Sequence, residues 1–334
     1  MDNRFTKKRV ANMLSYDWIK MIVLVVAIVF LWVLAFTIGS PRASKGQTFG
    51  IFYFYGGDYR YSTDPTTLGE NMQKEGVFSY DVLDFNVREI GETYAEILLT
   101  SNSVQEGDVM ITVDHPESIE KLKSPFRILI DNYGEVFYDY NDLIADAKKY
   151  CLENGFVYSS NGVYYLNEQR ITDYFAQRMK KDPRFRNEES QRYQDGVKGE
   201  IERIKRVWNN AIMLEDCLNT HPEIKYSYVR YTQTVAADPN AIDAEILANQ
   251  KVRVYGINLG RLTGTEKVIT SDFYYNLYDE EGAVTGSTAE GIVLCVYDYY
   301  GYQPHLQFET LSFVNAMISK YSNFLNTQLP ALIK

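Results

Sequence analysis

The sequence is short of the residues that most metal, redox and nucleophile chemistry requires. It holds three cysteines and three histidines in 334 residues. Cys151, Cys217 and Cys295 stand far apart with no C-x-x-C spacing, which excludes a zinc knuckle and a thioredoxin-type motif. Three is an odd number for an exported chain, so at least one thiol stays unpaired; buried, inert cysteines are the expectation. His115, His221 and His305 share no ligand spacing and read as surface or turn residues. H-E-x-x-H, G-x-S-x-G and P-loop patterns are missing. The stretch 131–142 invites comparison with a calcium loop. An EF-type loop needs carboxylates five, three and one residues before its glycine, and Gly134 is preceded there by Leu129, Asp131 and Tyr133. No metal or cofactor is expected, and the chain reads as non-enzymatic. There is also no N-x-[ST] sequon, no internal repeat and no low-complexity tract.

Charge is absent from one stretch, and that stretch organises the rest. Met21–Gly39, MIVLVVAIVFLWVLAFTIG, carries no charged residue. At a rise of ~1.5 Å per residue it is long enough for a ~30 Å hydrocarbon core. Nothing in it is more polar than Thr37, so no intramembrane ion site is expected. Trp18 and Trp32 are candidate interfacial anchors. Arg4, Lys7, Lys8, Arg9 and Lys20 precede the run, and only Arg42 and Lys45 closely follow it. The positive-inside rule then places residues 1–20 in the cytoplasm and everything after Pro41 outside a single-pass membrane anchor. Two other readings stay open. A cleaved signal peptide shares the basic start, but its apolar part usually runs about 7–15 residues and ends in a small-residue cleavage site, which Arg42-Ala43-Ser44 matches poorly. A buried core helix would show an apolar stripe, whereas this run is apolar all round.

The net charge is −10, yet the first twenty residues are net basic, so the ectodomain is strongly acidic. That is a poor match for phosphate backbones, and no nucleic-acid partner is expected. Tyrosine is abundant, at 28 residues, beside 17 Phe. Tyr suits a wet binding groove as well as strands and core edges.

Residues 40–47 form a polar tether. Thr48–Tyr55, TFGIFYFY, reads as a strand buried on both faces, closed by Gly56-Gly57-Asp58. Pro65–Lys74 is a short helix with Leu68 and Met72 four apart. Tyr80–Val87 is a second strand, Glu92–Ser103 a helix, and Asp108–Val113 a third strand. Alternation of this kind predicts a parallel sheet with right-handed crossovers. Phe126–Ile130 reads as a fourth strand, with Val136–Tyr140 pairing nearby. Asn141 can cap a helix running to Cys151. Ser160-Asn161-Gly162 lies between two short aromatic runs and signals a hairpin. Residues 167–226 are mostly helical, and the charge-rich part from Arg192 to Arg206 reads as a solvated helix face. Ala236–Asn249 is a polar helix or loop. Lys251–Asn258, Asp272–Tyr278 and Gly291–Tyr297 read as strands. A last helix from Pro304 to about Gln328 carries Leu311, Val314, Ile318, Tyr321 and Leu325 on one stripe.

Tyr94–Asp114, YAEILLTSNSVQEGDVMITVD, resembles extracellular solute-binding proteins of ABC importers, in which a helix is followed by G-D-v opening a strand that ends in Asp. Gly107, Asp108, Val109 and Asp114 hold those places. TFGIFYFYGGD resembles the first strand and ligand-facing turn of that family, and Val254-Tyr255-Gly256-Ile257 a segment of the type v-Y-a-I. The helix 306–325 looks like the late helix closing the first lobe. The resemblance implies an α/β fold: an N-terminal transmembrane helix, then a periplasmic-binding-protein-like ectodomain with a parallel or mixed sheet and flanking helices. It implies a sheet-based lobe from 48–130 and 251–329, and a reduced, mainly helical second lobe from 131–250.

Open parallel sheets bind ligands beyond the carboxyl ends of their strands. By that rule Tyr55 and Asp58 after the first strand, and Asp114 after the third, are the candidate ligand residues. Tyr255 joins them on the resemblance alone. Tyr rings would stack on a sugar or oligosaccharide, and the Asp carboxylates would accept its hydrogen bonds. The implied function is solute capture for an ABC permease at the membrane. A non-catalytic interaction protein that kept the fold and lost the ligand is the alternative, and a cell-surface glycan hydrolase the second.

Overall fold

The computed structural model describes residues 7, 18–39, 47–54, 59–62, 65–90, 108–114, 126–127, 130, 136–180, 182–229, 252–298 and 308–333. The expected helix 92–103 and segment 236–249 lie outside the described residues, as do Tyr55, Asp58 and Pro304. Two compact units result, Met1–Ser44 and Lys45–Lys334.

The first unit holds α1, Trp18–Gly39. Its window Trp18–Phe36 has a mean hydropathy of 2.9, and none of it is buried within the chain. By length and composition this helix can cross a membrane, as an anchor or as a signal sequence.

The second unit is α/β. Its main sheet has six strands in the order β3-β1-β4-β11-β8-β7. These are β1 Thr48–Phe54, β3 Asp84–Ile90, β4 Val109–Val113, β7 Lys225–Tyr228, β8 Arg253–Asn258 and β11 Ile292–Val296. β1 lies parallel to both β3 and β4. The partners of β11, namely β4 and β8, run antiparallel to it, and β7 runs antiparallel to β8. The sheet is therefore mixed: β3, β1 and β4 run parallel, and the strands that join beyond β4 pair antiparallel. A second sheet joins β2 Tyr59–Tyr61, β9 Phe273–Tyr278 and β10 Val284–Thr288. β5 Val157–Ser160 and β6 Val163–Leu166 form the expected hairpin, with Asn161 and Gly162 at φ 52° and 77°. A two-residue turn with positive φ at both positions matches the twist of its strands, and Asn-Gly tolerates it best.

The helices are α2 Pro65–Lys74, α3 Tyr140–Glu153, α4 Glu168–Met179, α5 Gln191–Thr220 and α6 Glu309–Tyr321. α3 starts two residues earlier than expected because Asp139, not Asn141, caps it: its carboxylate accepts from the Asn141 amide at 2.8 Å. Phe126, Arg127 and Ile130 are helical, so the fourth strand is not formed there.

Alternating side chains divide the core. Phe49, Ile51, Ile111 and Leu294 share one cluster with Tyr140 and Leu143 of α3, Trp208 and Leu214 of α5, and Leu311 and Ile318 of α6. Residues of 131–250 thus fill the same core as 48–130 and 251–329 and are not segregated into a lobe with a major core of its own. A small satellite of Phe175, Met179, Phe185 and Tyr193 lies beside α4. The other sheet face carries Phe52, Met110, Tyr255, Val293 and Cys295, covered by Phe126, Ile130, Val136 and Phe137.

Candidate functional site

Asp114 follows β4 directly. With a side-chain period of two, Met110, Thr112 and Asp114 face the same side, the one covered by Phe126 and Phe137. The Asp114 side chain has no solvent exposure. Arg127 Nε reaches its two carboxylate oxygens at 2.9 and 3.1 Å, and the Tyr226 hydroxyl donates to Oδ2. Burial raises the Tyr226 pKa, and the Asp114 carboxylate raises it further. Burial opposes the charge on Arg127, but Asp114 outweighs it and holds the guanidinium protonated.

Phe126 ties the neighbours together. Its ring lies 5.2 Å from Tyr226, 5.5 Å from Tyr228 and 6.4 Å from Tyr255, all edge-on. Arg127 sits over the Tyr228 ring at 5.6 Å. Asp114 and Tyr255, two of the four candidate ligand residues, therefore share one sheet face and one aromatic cluster. Tyr255 is 2% exposed and packs as core. Arg127 reaches solvent with a 37% exposed side chain, and Tyr226 and Tyr228 are partly exposed. The assembly is a buried carboxylate paired with a half-exposed guanidinium beside an aromatic cluster. Arg127 and Tyr226 carry no sequence signal beyond their residue types: they lie 13 and 112 positions from Asp114.

A second polar assembly is buried where the charge-rich helix face was expected to be solvated. Glu200 and Arg203 of α5 are both fully enclosed. Arg178 of α4 bonds Glu200 at 2.8 Å, Asp81 at 3.0 Å and the Tyr80 hydroxyl at 2.7 Å. Arg184 adds an ion pair to Asp81 at 3.3 Å. Burial alone would raise the Glu200 carboxyl, but Arg203 and Arg178 bring it down to about 2. Each charge is matched, so the network locks α4 and α5 against the 79–82 turn.

A third feature is acidic. Asp108 accepts from the Gly50 amide at 2.6 Å, and Glu309 accepts from the Ser79 amide at 3.2 Å. Burial, with help from the Glu309 charge, lifts the Asp108 carboxyl to about 7 against the pull of the Gly50 N–H.

Cys151, Cys217 and Cys295 are all buried free thiols, as expected. Burial pushes the Cys151 and Cys217 thiols up to about 12, far from the thiolate range that reactive cysteines need. Among the described residues no group of three His, Cys, Asp or Glu side chains could hold a metal ion. Comparison with protein-family models, curated proteins and solved structures returns no match.

Proposed function

We propose that the chain is a non-catalytic, membrane-anchored extracytoplasmic protein that acts by binding a protein partner; an ABC-type permease is the partner implied by its resemblance to solute-binding proteins. In this reading α1 stays in the bilayer, the basic lead is cytoplasmic and the acidic α/β unit faces outward. The observation that carries it is the closed state of Asp114. Its carboxylate, at the end of a strand where a solute would be held, is already satisfied by Arg127 and Tyr226. A sugar or oligosaccharide docking there would have to displace Arg127 or Tyr226 from a buried carboxylate that they already satisfy. The interaction reading is therefore favoured over solute capture at this position.

The test uses the full chain. Protease added to intact cells should cleave the 45–334 unit, and mild detergent should extract it with the subunits of a membrane complex. In nanodiscs, no sugar or oligosaccharide should bind in a manner that Asp114→Asn abolishes. A solute whose calorimetric signal disappears in Asp114→Asn would overturn the reading, and so would a unit protected from external protease.

A further inference from the structure

We propose that the open edge of the β5/β6 hairpin pairs with the same edge of a second copy of this chain, joining two hairpins into one antiparallel four-stranded sheet. The inference goes beyond the partner reading, since it requires neither a permease nor a given membrane orientation.

The hairpin register fixes which backbone groups are left over. The two-residue turn makes Ser160 and Val163 a hydrogen-bonded pair, and the pairing alternates from there. The Asn167 amide donates to the Phe156 carbonyl at 2.8 Å, in step with that alternation. Val163 and Tyr165 therefore bond to β5, while the N–H and C=O groups of Tyr164 and Leu166 point away from it. Among the described residues no strand lies beyond β6, and these four groups make no bond. Tyr164 and Leu166 are only half-buried, so this edge keeps access to solvent. The β5 edge is less open, since β5 adjoins α3 and Val157 is 2% exposed. Phe156 and Val157 in the core and the Tyr164 ring on Trp208, at 4.7 Å, hold the hairpin in place.

An unpaired edge invites a further strand, and the other described edges carry the usual defences. β3 holds Asp84, Arg88 and Glu89, and β2 holds Arg60. β7 has Lys225 and a break in register, and β10 has a break in register after the acidic turn 279–281. Residues 156–166, FVYSSNGVYYL, have no charge, no proline and no break.

The chemistry of the edge names its occupant. Tyr158 and Tyr165 stand opposite each other on the outer face with stacked rings 5.7 Å apart, and Val163 shares that face. All three are more than 40% exposed. When two β6 strands pair antiparallel about a two-fold axis at Tyr164, Val163 of each copy stands opposite the partner's Tyr165. Aromatic and β-branched residues are favoured cross-strand neighbours. The acidic units repel each other over most of their surface, whereas here the nearest charges in sequence are Glu153 and Glu168. A charged segment gains nothing from so neutral a strand, and a second β6 matches it residue for residue.

The experiment is sedimentation of the full chain in mild detergent, read up to about 100 μM because small interfaces are weak. The chain should show a reversible monomer–dimer equilibrium. Val163→Glu puts a charge on the edge without touching a buried bond and should weaken the dimer about tenfold or more. Val284→Glu, at a more exposed site on β10, should leave it unchanged, which separates strand pairing from general repulsion. Oxidation of an equal mixture of Val163→Cys and Tyr165→Cys chains should give a disulfide-linked heterodimer, because a non-hydrogen-bonded pair brings Cα atoms to about 4.5 Å. The three native thiols are buried and stay out of that reaction. A chain monomeric at every concentration, its edge left to some other extended segment, would overturn the proposal. A dimer untouched by Val163→Glu, held instead by α1, would do the same, and so would a mixture that crosslinks no better than either variant alone. None of these failures touches the partner reading, which rests on Asp114.

Discussion

Glu200 and Arg203, three residues apart on α5, form a two-point ion pair at 2.8 and 3.1 Å with essentially no solvent contact. Removing Arg203 takes both of these bonds from Glu200 and leaves the buried carboxylate to Arg178 and the Tyr80 hydroxyl alone. Arg203→Met is expected to destabilise the 45–334 unit by about 3–5 kcal/mol, read from urea unfolding. The pH dependence follows from the sign of the shift. Glu200 sits at about 2 in the folded chain against an ordinary 4.5. Its contribution is complete above about 4.5 and is lost as pH falls toward 2. Glu200→Gln should lower stability at neutral pH and flatten the acid limb of the stability profile.

Asp108 shifts the opposite way. Its folded carboxyl titrates at about 7 against an ordinary 3.8. Between those values the folded state holds a proton that the unfolded chain has released, so stability falls as pH rises from 3.8 through 7. Asp108→Asn mimics the protonated form and keeps an acceptor for the Gly50 amide. It is expected to be close to neutral at pH 5 and to raise the melting temperature at pH 8. A variant less stable than wild type at pH 8 would contradict the assignment.

These two carboxylates also mark the boundary of what the sequence makes legible. The aromatic run of β1 and the Asn161-Gly162 turn announce themselves because their signals are local. So does the stripe of Leu311, Val314 and Ile318, all buried on α6. β7 was hidden because Lys225–Tyr228 is four residues long and only half-buried. β10 was hidden because Val284–Thr288 is mostly exposed and interrupted by Gly286. Glu200 and Arg203 resemble any surface pair at i and i+3, and only Arg178 and Asp81, distant in sequence, make their burial affordable. Asp114 was legible as a strand end. Its closure was not, because Arg127 and Tyr226 come from other elements.

The closed state of Asp114 can be tested one partner at a time. Tyr226→Phe removes one donor and leaves the Arg127 pair, so a loss of about 1–2 kcal/mol is expected. Arg127→Ala leaves an enclosed carboxylate with only the Tyr226 hydroxyl, and about 3–5 kcal/mol should be lost. Arg127→Lys keeps a cation within reach of the carboxylate and should recover part of that loss. A loss in Arg127→Lys as large as in Arg127→Ala would show that Arg127 acts through its packing on Tyr228 instead.

The segment after α6 is fastened to α5 by three bonds. Trp208 Nε1 donates to the Ala331 carbonyl at 3.0 Å. Asn209 clamps Ile333 twice: Nδ2 donates to its carbonyl and Oδ1 accepts from its amide, each at 2.9 Å. Ile333 is 6% exposed, so its side chain is held in the core as well. Leu325 and Thr327 of the same segment form one wall of a groove between α5 and α6. Asn209→Ala should cost about 1–3 kcal/mol and speed proteolysis within 326–333, read by mass spectrometry of timed digests.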